Sequence, residues 1–160
     1  MKRVIARGEE ETKKVAGRLA DFLRPGDVLA LVGDLGSGKT TFVKGLARGL
    51  GVKGRVVSPS YVLLREYKAK SPLYHFDLYR LGYYEEVELL GYEEYFYGNG
   101  ITCIEWADKI EKLLPKSYLR IQFEFLGEKK RTIRFLAVGP PARRTGGQAD
   151  RHYQELIDRI

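Results

Sequence analysis

One stretch near the start of the chain has the residue types and spacing of a phosphate-binding loop. Glycines have no Cβ, so the backbone N–H groups of such a loop can turn toward an anion at the start of the following helix. Lys39 would place its charge on the terminal phosphates of a nucleotide, and the Thr40 hydroxyl is a suitable oxygen ligand for Mg²⁺. The loop therefore predicts binding of a nucleotide together with magnesium. The expected contacts are Gly33, Asp34, Leu35, Gly36, Ser37, Gly38, Lys39, Thr40 and Thr41.

Two carboxylates follow short apolar runs that have the character of strands. Asp77 comes after Leu73–Phe76, and Glu105 comes after Ile101–Ile104. Ligands of α/β proteins bind at the carboxyl ends of strands, so both residues are candidates for the nucleotide site. Asp77 is the expected partner of the metal ion. Glu105 could deprotonate an attacking water, a contribution of about 10²- to 10⁴-fold, or could hold Mg²⁺ through water.

Three further residues lie close to these motifs in the sequence. Ser60 follows a proline and could sense the nucleotide as a switch residue, although a serine in a turn is an equal alternative. Trp106 is interpreted as a packing residue of the core or a lid, with base stacking as the second reading. His75 lies two residues before Asp77 and therefore on the same strand face, where a structural histidine is favoured over a catalytic one.

Hydrophobic periodicity indicates the elements that must position these residues. Val28–Val32 is a buried strand that leads into the glycine-rich loop, and a helix ending at Gly51 follows it. The pattern predicts an α/β fold of the P-loop NTPase type: a three-layer sandwich whose central mixed sheet includes antiparallel hairpins and is flanked by helices. The expected hairpins pair 61–67 with 73–78 and 119–125 with 131–138, a further short strand begins at 55–57, and helices are expected at 9–23, 83–90 and 108–114.

Length and composition limit the class of protein. A chain of 160 residues suits one domain, assigned to 1–138, and residues 139–160 read as a basic linker with a short amphipathic helix. The single cysteine, Cys103, cannot form an intramolecular disulfide, and with two histidines a structural zinc site is not expected. No apolar run approaches the ~20 residues of a membrane helix, and no export signal is evident, so we expect a cytoplasmic protein.

The formal net charge of +7 favours weak, salt-sensitive attraction to nucleic acid or to an acidic partner. Acidic side chains crowd the middle segment Glu85–Glu94, and basic side chains crowd the C-terminal strands. Either group could equally be a solvated face. The basic residues are Arg120, Lys129, Lys130, Arg131 and Arg134.

Four motifs in this order resemble the TsaE (YjeE) family of bacterial ATPases. They are the loop from Gly33 to Phe42, Ser58-Pro59-Ser60-Tyr61, His75-Phe76-Asp77-Leu78-Tyr79-Arg80-Leu81 and Ile104-Glu105-Trp106-Ala107. The resemblance implies an ATPase needed to form threonylcarbamoyladenosine next to the anticodon of tRNA. Such a protein works with the TsaB and TsaD subunits, reaches tRNA through their complex, and does not itself transfer the threonylcarbamoyl group.

The resemblance also implies roles for individual residues. Lys39 would hold phosphate and act with Glu105 in catalysis, and Thr40 would bind Mg²⁺. Asp77 and Glu105 would be the carboxylates of the metal site. Adenine contacts come from the N-terminal segment and the last hairpin, which gives Glu9 and Arg131 as positional assignments.

Two other functions fit parts of the sequence. A small-molecule kinase would use the same loop to phosphorylate an acceptor, but no arginine-rich lid is evident after the helix that follows the loop. An RNA-binding module would use the basic C-terminal strands, although charge alone gives dissociation constants of only about 10⁻⁴ to 10⁻⁶ M. The accessory ATPase is therefore the leading hypothesis.

Overall fold

The computed structural model describes residues 1–58, 62–140 and 148–160, with only the backbone of residues 148–150. The strands are β1 (Lys2–Arg7), β2 (Val28–Val32), β3 (Leu64–Tyr67), β4 (Leu73–Asp77), β5 (Ile101–Glu105), β6 (Tyr118–Phe125) and β7 (Lys130–Val138). The helices are α1 (Glu9–Ala20), α2 (Lys39–Gly49), α3 (Glu85–Leu89), α4 (Glu93–Phe96) and α5 (Gln148–Arg159), with a 3₁₀ helix at Ala107–Ile110.

The strands form one seven-stranded mixed sheet in the order β1-β7-β6-β2-β5-β4-β3. The central strands β6, β2, β5 and β4 are parallel. Antiparallel pairing occurs toward both edges, between β1 and β7, β6 and β7, and β3 and β4. The predicted α/β fold with a mixed sheet and antiparallel hairpins is therefore confirmed.

Strand β2 is covered on both faces, as expected for a central parallel strand. Leu29 and Leu31 point into a core shared with α1, α2 and α5, whereas Val28, Ala30 and Val32 point into a second core under α3, α4 and the 3₁₀ helix. This arrangement gives the three layers predicted from the sequence. It also fixes the carboxyl end of β2, from which the glycine-rich loop starts.

Helices α1 and α2 approach each other closely because small residues lie between them. A Cβ at Gly45 of α2 would lie 2.5 Å from the Lys13 Cα of α1. A Cβ at Gly49 would lie 2.6 Å from the Ala20 Cβ. In contrast, a Cβ at Gly17 would meet nothing nearer than the Gly45 carbonyl oxygen, at 3.9 Å. The close packing of α2 against α1 therefore requires glycine at positions 45 and 49.

Helix α5 packs on the core near the start of β2. Tyr153, Leu156 and Ile157 are buried in the same core as α1 and α2. The Tyr153 hydroxyl accepts a hydrogen bond of 3.0 Å from the Val28 N–H, and burial raises the pKa of this phenol well above its usual value. His152 Nε2 lies 2.8 Å from a carboxylate oxygen of Asp27. The domain boundary predicted at residue 138 stays a prediction.

Strand β1 is not predicted from the sequence, and several helices and strands have bounds that differ from the predicted ones. β1 is an edge strand whose charged side chains face solvent, which hid its pattern. Residues 55–57 form no strand; instead, the Val57 N–H and C=O bond to the Tyr67 hydroxyl at 3.3 and 3.0 Å. In place of an α-helix over 108–114 there is the 3₁₀ helix, which begins after Trp106. Helix α1 ends at Ala20, and α3 is confined to Glu85–Leu89.

No helix in the described ranges is long and apolar enough to span a bilayer.

Candidate functional site

The glycine-rich loop adopts a conformation that requires glycine at three positions. Gly33, Gly36 and Gly38 have φ angles of 142°, 76° and 108°, in the region that side chains disfavour. A Cβ at Gly33 would lie 2.5 Å from the Phe123 carbonyl oxygen, and a Cβ at Gly38 would lie 2.5 Å from Arg131 Nη1. No side chain caps the first turn of α2. Its N–H groups are therefore available to an anion in the loop.

Lys39 is folded back into the loop that precedes it. Its ammonium donates hydrogen bonds to the carbonyl oxygens of Gly33 and Asp34, at 2.6 and 2.8 Å, and lies 3.9 Å from the centre of the Trp106 ring. Burial lowers the pKa of Lys39, and the charge of Glu105 opposes that shift. A phosphate in the loop would offer this buried ammonium a stronger, charged acceptor than a carbonyl.

Glu105 is held between two polar side chains at the carboxyl end of β5. The Thr40 hydroxyl donates to Glu105 Oε2 at 2.8 Å, and His75 Nε2 lies 2.9 Å from Glu105 Oε1. Because a carboxylate only accepts, His75 Nε2 carries the proton in this pair. His75 is fully buried and Glu105 is 2% exposed. The first helical turn after the loop and the strand-end carboxylate are therefore joined directly.

Asp77 lies beside Glu105 in the sheet, at the carboxyl end of β4. The two residues are register partners across the parallel pair β4 and β5, so their side chains leave the same face of the sheet. Asp77 Oδ1 accepts the Tyr79 N–H at 3.1 Å, and the Ser58 hydroxyl donates to Asp77 Oδ2. Ser60, the predicted sensing hydroxyl, lies outside the described ranges. The contact of Ser58 with Asp77 was not predicted. Ser58 lies only two residues before Ser60 and has the same hydroxyl, which could have indicated it.

Trp106 is the one residue other than glycine with a positive φ in the described ranges, at 60°. A left-handed backbone at a non-glycine residue costs energy and is concentrated at functional sites. This turn aims the indole at the Lys39 ammonium and at the Tyr79 ring, whose centre is 5.2 Å away. Trp106 therefore packs against Lys39 and Tyr79, and its role in the site stays a prediction. Tyr79 was missed, although its position two residues after Asp77 placed it near the site.

These residues border one cleft of about 320 Å³. Glu9 lines the cleft, but the other predicted adenine contact, Arg131, is not among the lining residues. Arg131 lies against Gly38, and its buried Nε has no acceptor among the described residues. No group of three or more His, Cys, Asp or Glu side chains in the described ranges could hold a metal by itself. The residues that line the cleft are Glu9, Leu35, Gly36, Gly38, Lys39, Thr40, Thr41, Ser58, Asp77, Tyr79, Glu105 and Trp106.

Several of these features fit a nucleotide phosphate with magnesium. The uncapped helix start and the Lys39 ammonium are donors at the loop, and the Arg131 guanidinium lies beside Gly38. Mg²⁺ takes only one or two protein carboxylates and completes its shell with phosphate and water. The three oxygen donors Thr40, Asp77 and Glu105 therefore suit a Mg²⁺ ion whose remaining ligands are phosphate and water. The assignment of individual site residues stays a prediction.

Comparison with known proteins agrees with this architecture. Residues 6–133 match the family described as "Threonylcarbamoyl adenosine biosynthesis protein TsaE". The tRNA threonylcarbamoyladenosine biosynthesis protein TsaE of Bacillus subtilis is 50% identical over 131 residues, which cover 81% of this chain and 82% of that protein. The protein of the same name from Aquifex aeolicus is 40% identical over 137 residues, or 84% and 95% of the two chains.

A solved structure extends the similarity to almost the whole fold. The crystal structure of YdiB from Bacillus subtilis superposes with a TM-score of 0.79 and 40% sequence identity, covering 98% of this chain and 94% of that one. The family resemblance predicted from the four motifs is confirmed. The chain belongs to the TsaE family and takes part in the biosynthesis of threonylcarbamoyladenosine in tRNA.

Proposed function

We propose that the chain binds and hydrolyses ATP with Mg²⁺ in the cleft, as the accessory ATPase of TsaB and TsaD during tRNA modification. The observation that carries this proposal is the hydrogen-bonded series Thr40, Glu105 and His75. It places a buried carboxylate against the first turn of the helix that follows a phosphate-binding loop. A buried carboxylate fixed at that point supports activation of a water molecule beside the phosphates.

Each element of the cleft has a part in this proposal. The loop N–H groups and Lys39 bind the phosphates of the substrate, and Arg131 adds a charged donor beside Gly38. Thr40 and Asp77 would hold Mg²⁺, which would neutralise charge on the phosphates. Trp106 covers Lys39 and excludes water from the buried end of the loop.

Glu105 orients and deprotonates the attacking water. His75 fixes one carboxylate oxygen, so the other oxygen is the one directed toward Thr40 and the cleft. Glu105 and Asp77 are therefore two adjacent carboxylates with different neighbours, since Asp77 is bonded to Ser58 and to the Tyr79 N–H. Release of the Ser58 and Asp77 contact after hydrolysis would change the loop that the partner subunits sense.

Trp106 provides a direct test of ATP binding because it is the only tryptophan of the chain. Binding of phosphate draws the Lys39 ammonium away from the indole, which removes a cation–π contact. We expect the tryptophan emission to change and to saturate as ATP and Mg²⁺ are added. The Lys39→Met variant should show no such change. An unchanged emission in the wild type, with binding demonstrated by calorimetry, would contradict the proposed movement of Lys39.

Hydrolysis is tested by phosphate release from the purified protein, alone and with TsaB, TsaD and tRNA. We expect hydrolysis that the partners stimulate and that Lys39→Ala lowers by at least about 10²-fold, since a charged donor to the reacting phosphates is lost. The thermal unfolding transition of the variant serves as the control for folding. No release under any condition would refute the ATPase, and transfer of phosphate to an added nucleoside or alcohol would establish the kinase instead.

A further inference from the structure

We propose that this protein contacts the phosphate backbone of RNA directly, through a basic groove on the face of α2 away from the sheet. The groove has a volume of about 370 Å³. It lies between α1, α2 and the segment that follows α2, and we call it the α2 groove. Its lining is Lys13, Lys44, Arg48, Val52, Gly54, Arg55 and Val56.

Three cations of the α2 groove form no ion pair with any residue that the structure describes. Lys44 and Arg48 are four residues apart on α2, so they share one face of the helix, and both are exposed, as is Arg55. Within the described ranges, none of the three makes a side-chain hydrogen bond or an ion pair. Lys13 differs, because its ammonium lies 2.7 Å from a Glu10 carboxylate oxygen. No carboxylate among the described residues lines the groove.

Two of the five basic residues that the sequence suggested as an RNA surface on the C-terminal strands are paired with carboxylates. Arg120 pairs with Glu111 at 2.9 Å, and Arg134 pairs with Glu124 at 3.0 Å. Arg131 is buried against the loop glycine and is not available to a large ligand. Lys129 and Lys130 of the same hairpin stay exposed, so the α2 groove is distinguished by three cations, Lys44, Arg48 and Arg55, that line one concave surface.

The chemistry of the groove favours phosphates over a protein partner. Protein interfaces have a core enriched in aromatic and apolar side chains, but the α2 groove contains no aromatic residue among those described. Its two apolar members, Val52 and Val56, are partly or fully buried. Exposed Lys and Arg side chains without aromatic neighbours bind nucleic acid through phosphates and without base recognition. The natural ligand is the tRNA on which the family acts.

The groove is connected to the candidate nucleotide site through the chain on both sides. Helix α2 begins at Lys39 and Thr40, less than two turns before Lys44. Arg55 lies three residues before Ser58, which bonds to Asp77. RNA bound across the groove would therefore contact both elements that carry site residues. The inference depends on membership of the TsaE family and not on hydrolysis of ATP.

Fluorescence anisotropy with labelled tRNA tests this proposal over a range of salt concentrations. The test variant is Lys44→Glu with Arg48→Glu, and the matched control is Lys129→Glu with Lys130→Glu, which changes the net charge equally. We expect the test variant to bind tRNA more weakly and to lose about 1.4 to 1.8 from the slope of log affinity against log salt, at roughly 0.7 to 0.9 for each phosphate contact. The control should keep the wild-type slope.

Three outcomes would overturn the proposal: no binding of tRNA by the wild type, equal losses in the test and control variants, or a loss confined to the control. Loss of binding to TsaB and TsaD in the test variant, with tRNA binding unchanged, would show that the groove binds a protein instead. The Trp106 response to ATP and the thermal unfolding transition verify that each variant is folded. If the test variant fails that check, Lys44→Gln with Arg48→Gln replaces it. A failure of the ATPase proposal would appear in phosphate release and leave tRNA anisotropy unaffected.

Discussion

Replacing Glu105 by glutamine will leave ATP binding intact and lower the rate of hydrolysis by about 10²- to 10⁴-fold, the usual contribution of a positioned general base. Glutamine has the same shape, so its carbonyl oxygen can accept from His75 while its amide donates to the Thr40 hydroxyl. The variant therefore keeps a hydrogen bond to each neighbour, with the donor and acceptor exchanged in the bond to Thr40. It cannot accept a proton from water.

Single-turnover hydrolysis is the measurement that isolates this effect, with Trp106 emission as the readout of binding. Glu88→Gln, an exposed carboxylate on α3, is the matched control and should hydrolyse ATP at the wild-type rate. The dependence on Mg²⁺ distinguishes the two roles that the sequence left open for Glu105. A lower rate at an unchanged half-saturating Mg²⁺ concentration supports the base. A normal rate restored by excess Mg²⁺ would mean that Glu105 acts only as a metal ligand.

The same Gly→Ala substitution will have opposite effects on two facing helices. Gly45→Ala should lower the free energy of unfolding by about 1–3 kcal/mol, since its Cβ would overlap the Lys13 backbone and force α1 away from α2. Gly17→Ala should raise it by about 0.5–1 kcal/mol, because alanine favours the helix and its Cβ meets only an ordinary contact.

Urea unfolding of the two variants and the wild type measures both values under one set of conditions. The pair controls for itself, because each variant adds one methyl group to the interior of a helix in the same interface. Gly45→Ala should also weaken ATP binding, since α2 carries Lys39 and Thr40 at its first turn. Equal stabilisation by both substitutions would show that the two helices are farther apart than the structure places them.

Much of the site could be predicted because its parts are local in sequence. The loop from Gly33 to Lys39 follows an apolar strand, and its positive-φ positions coincide with its glycines. Asp77 and Glu105 each end a run of buried residues, and parallel strands bring such ends to one edge of the sheet. Each of these patterns lies within about ten consecutive residues of the chain. They required no knowledge of the tertiary structure.

The remaining contacts depend on residues that are distant in sequence. The bond from Thr40 to Glu105 and the bond from His75 to Glu105 join three elements, and no spacing in the chain specifies them. His75 was therefore interpreted as structural, although it orients a proposed catalytic side chain. The left-handed turn at Trp106 is equally hidden, because a bulky residue gives no local indication of positive φ.

Helix α5 lies beyond the residues that match the family, yet it completes the surface on which the matched part rests. Without Tyr153, Leu156 and Ile157, the apolar side chains beneath them would face water, and the Val28 N–H would lose its acceptor. An unpaired amide at the start of a central strand costs about 1–3 kcal/mol. A chain shortened to residues 6–133 would therefore be less stable. Residues after the family match therefore stabilise the fold, whereas the cleft of the proposed nucleotide site lies entirely within that match.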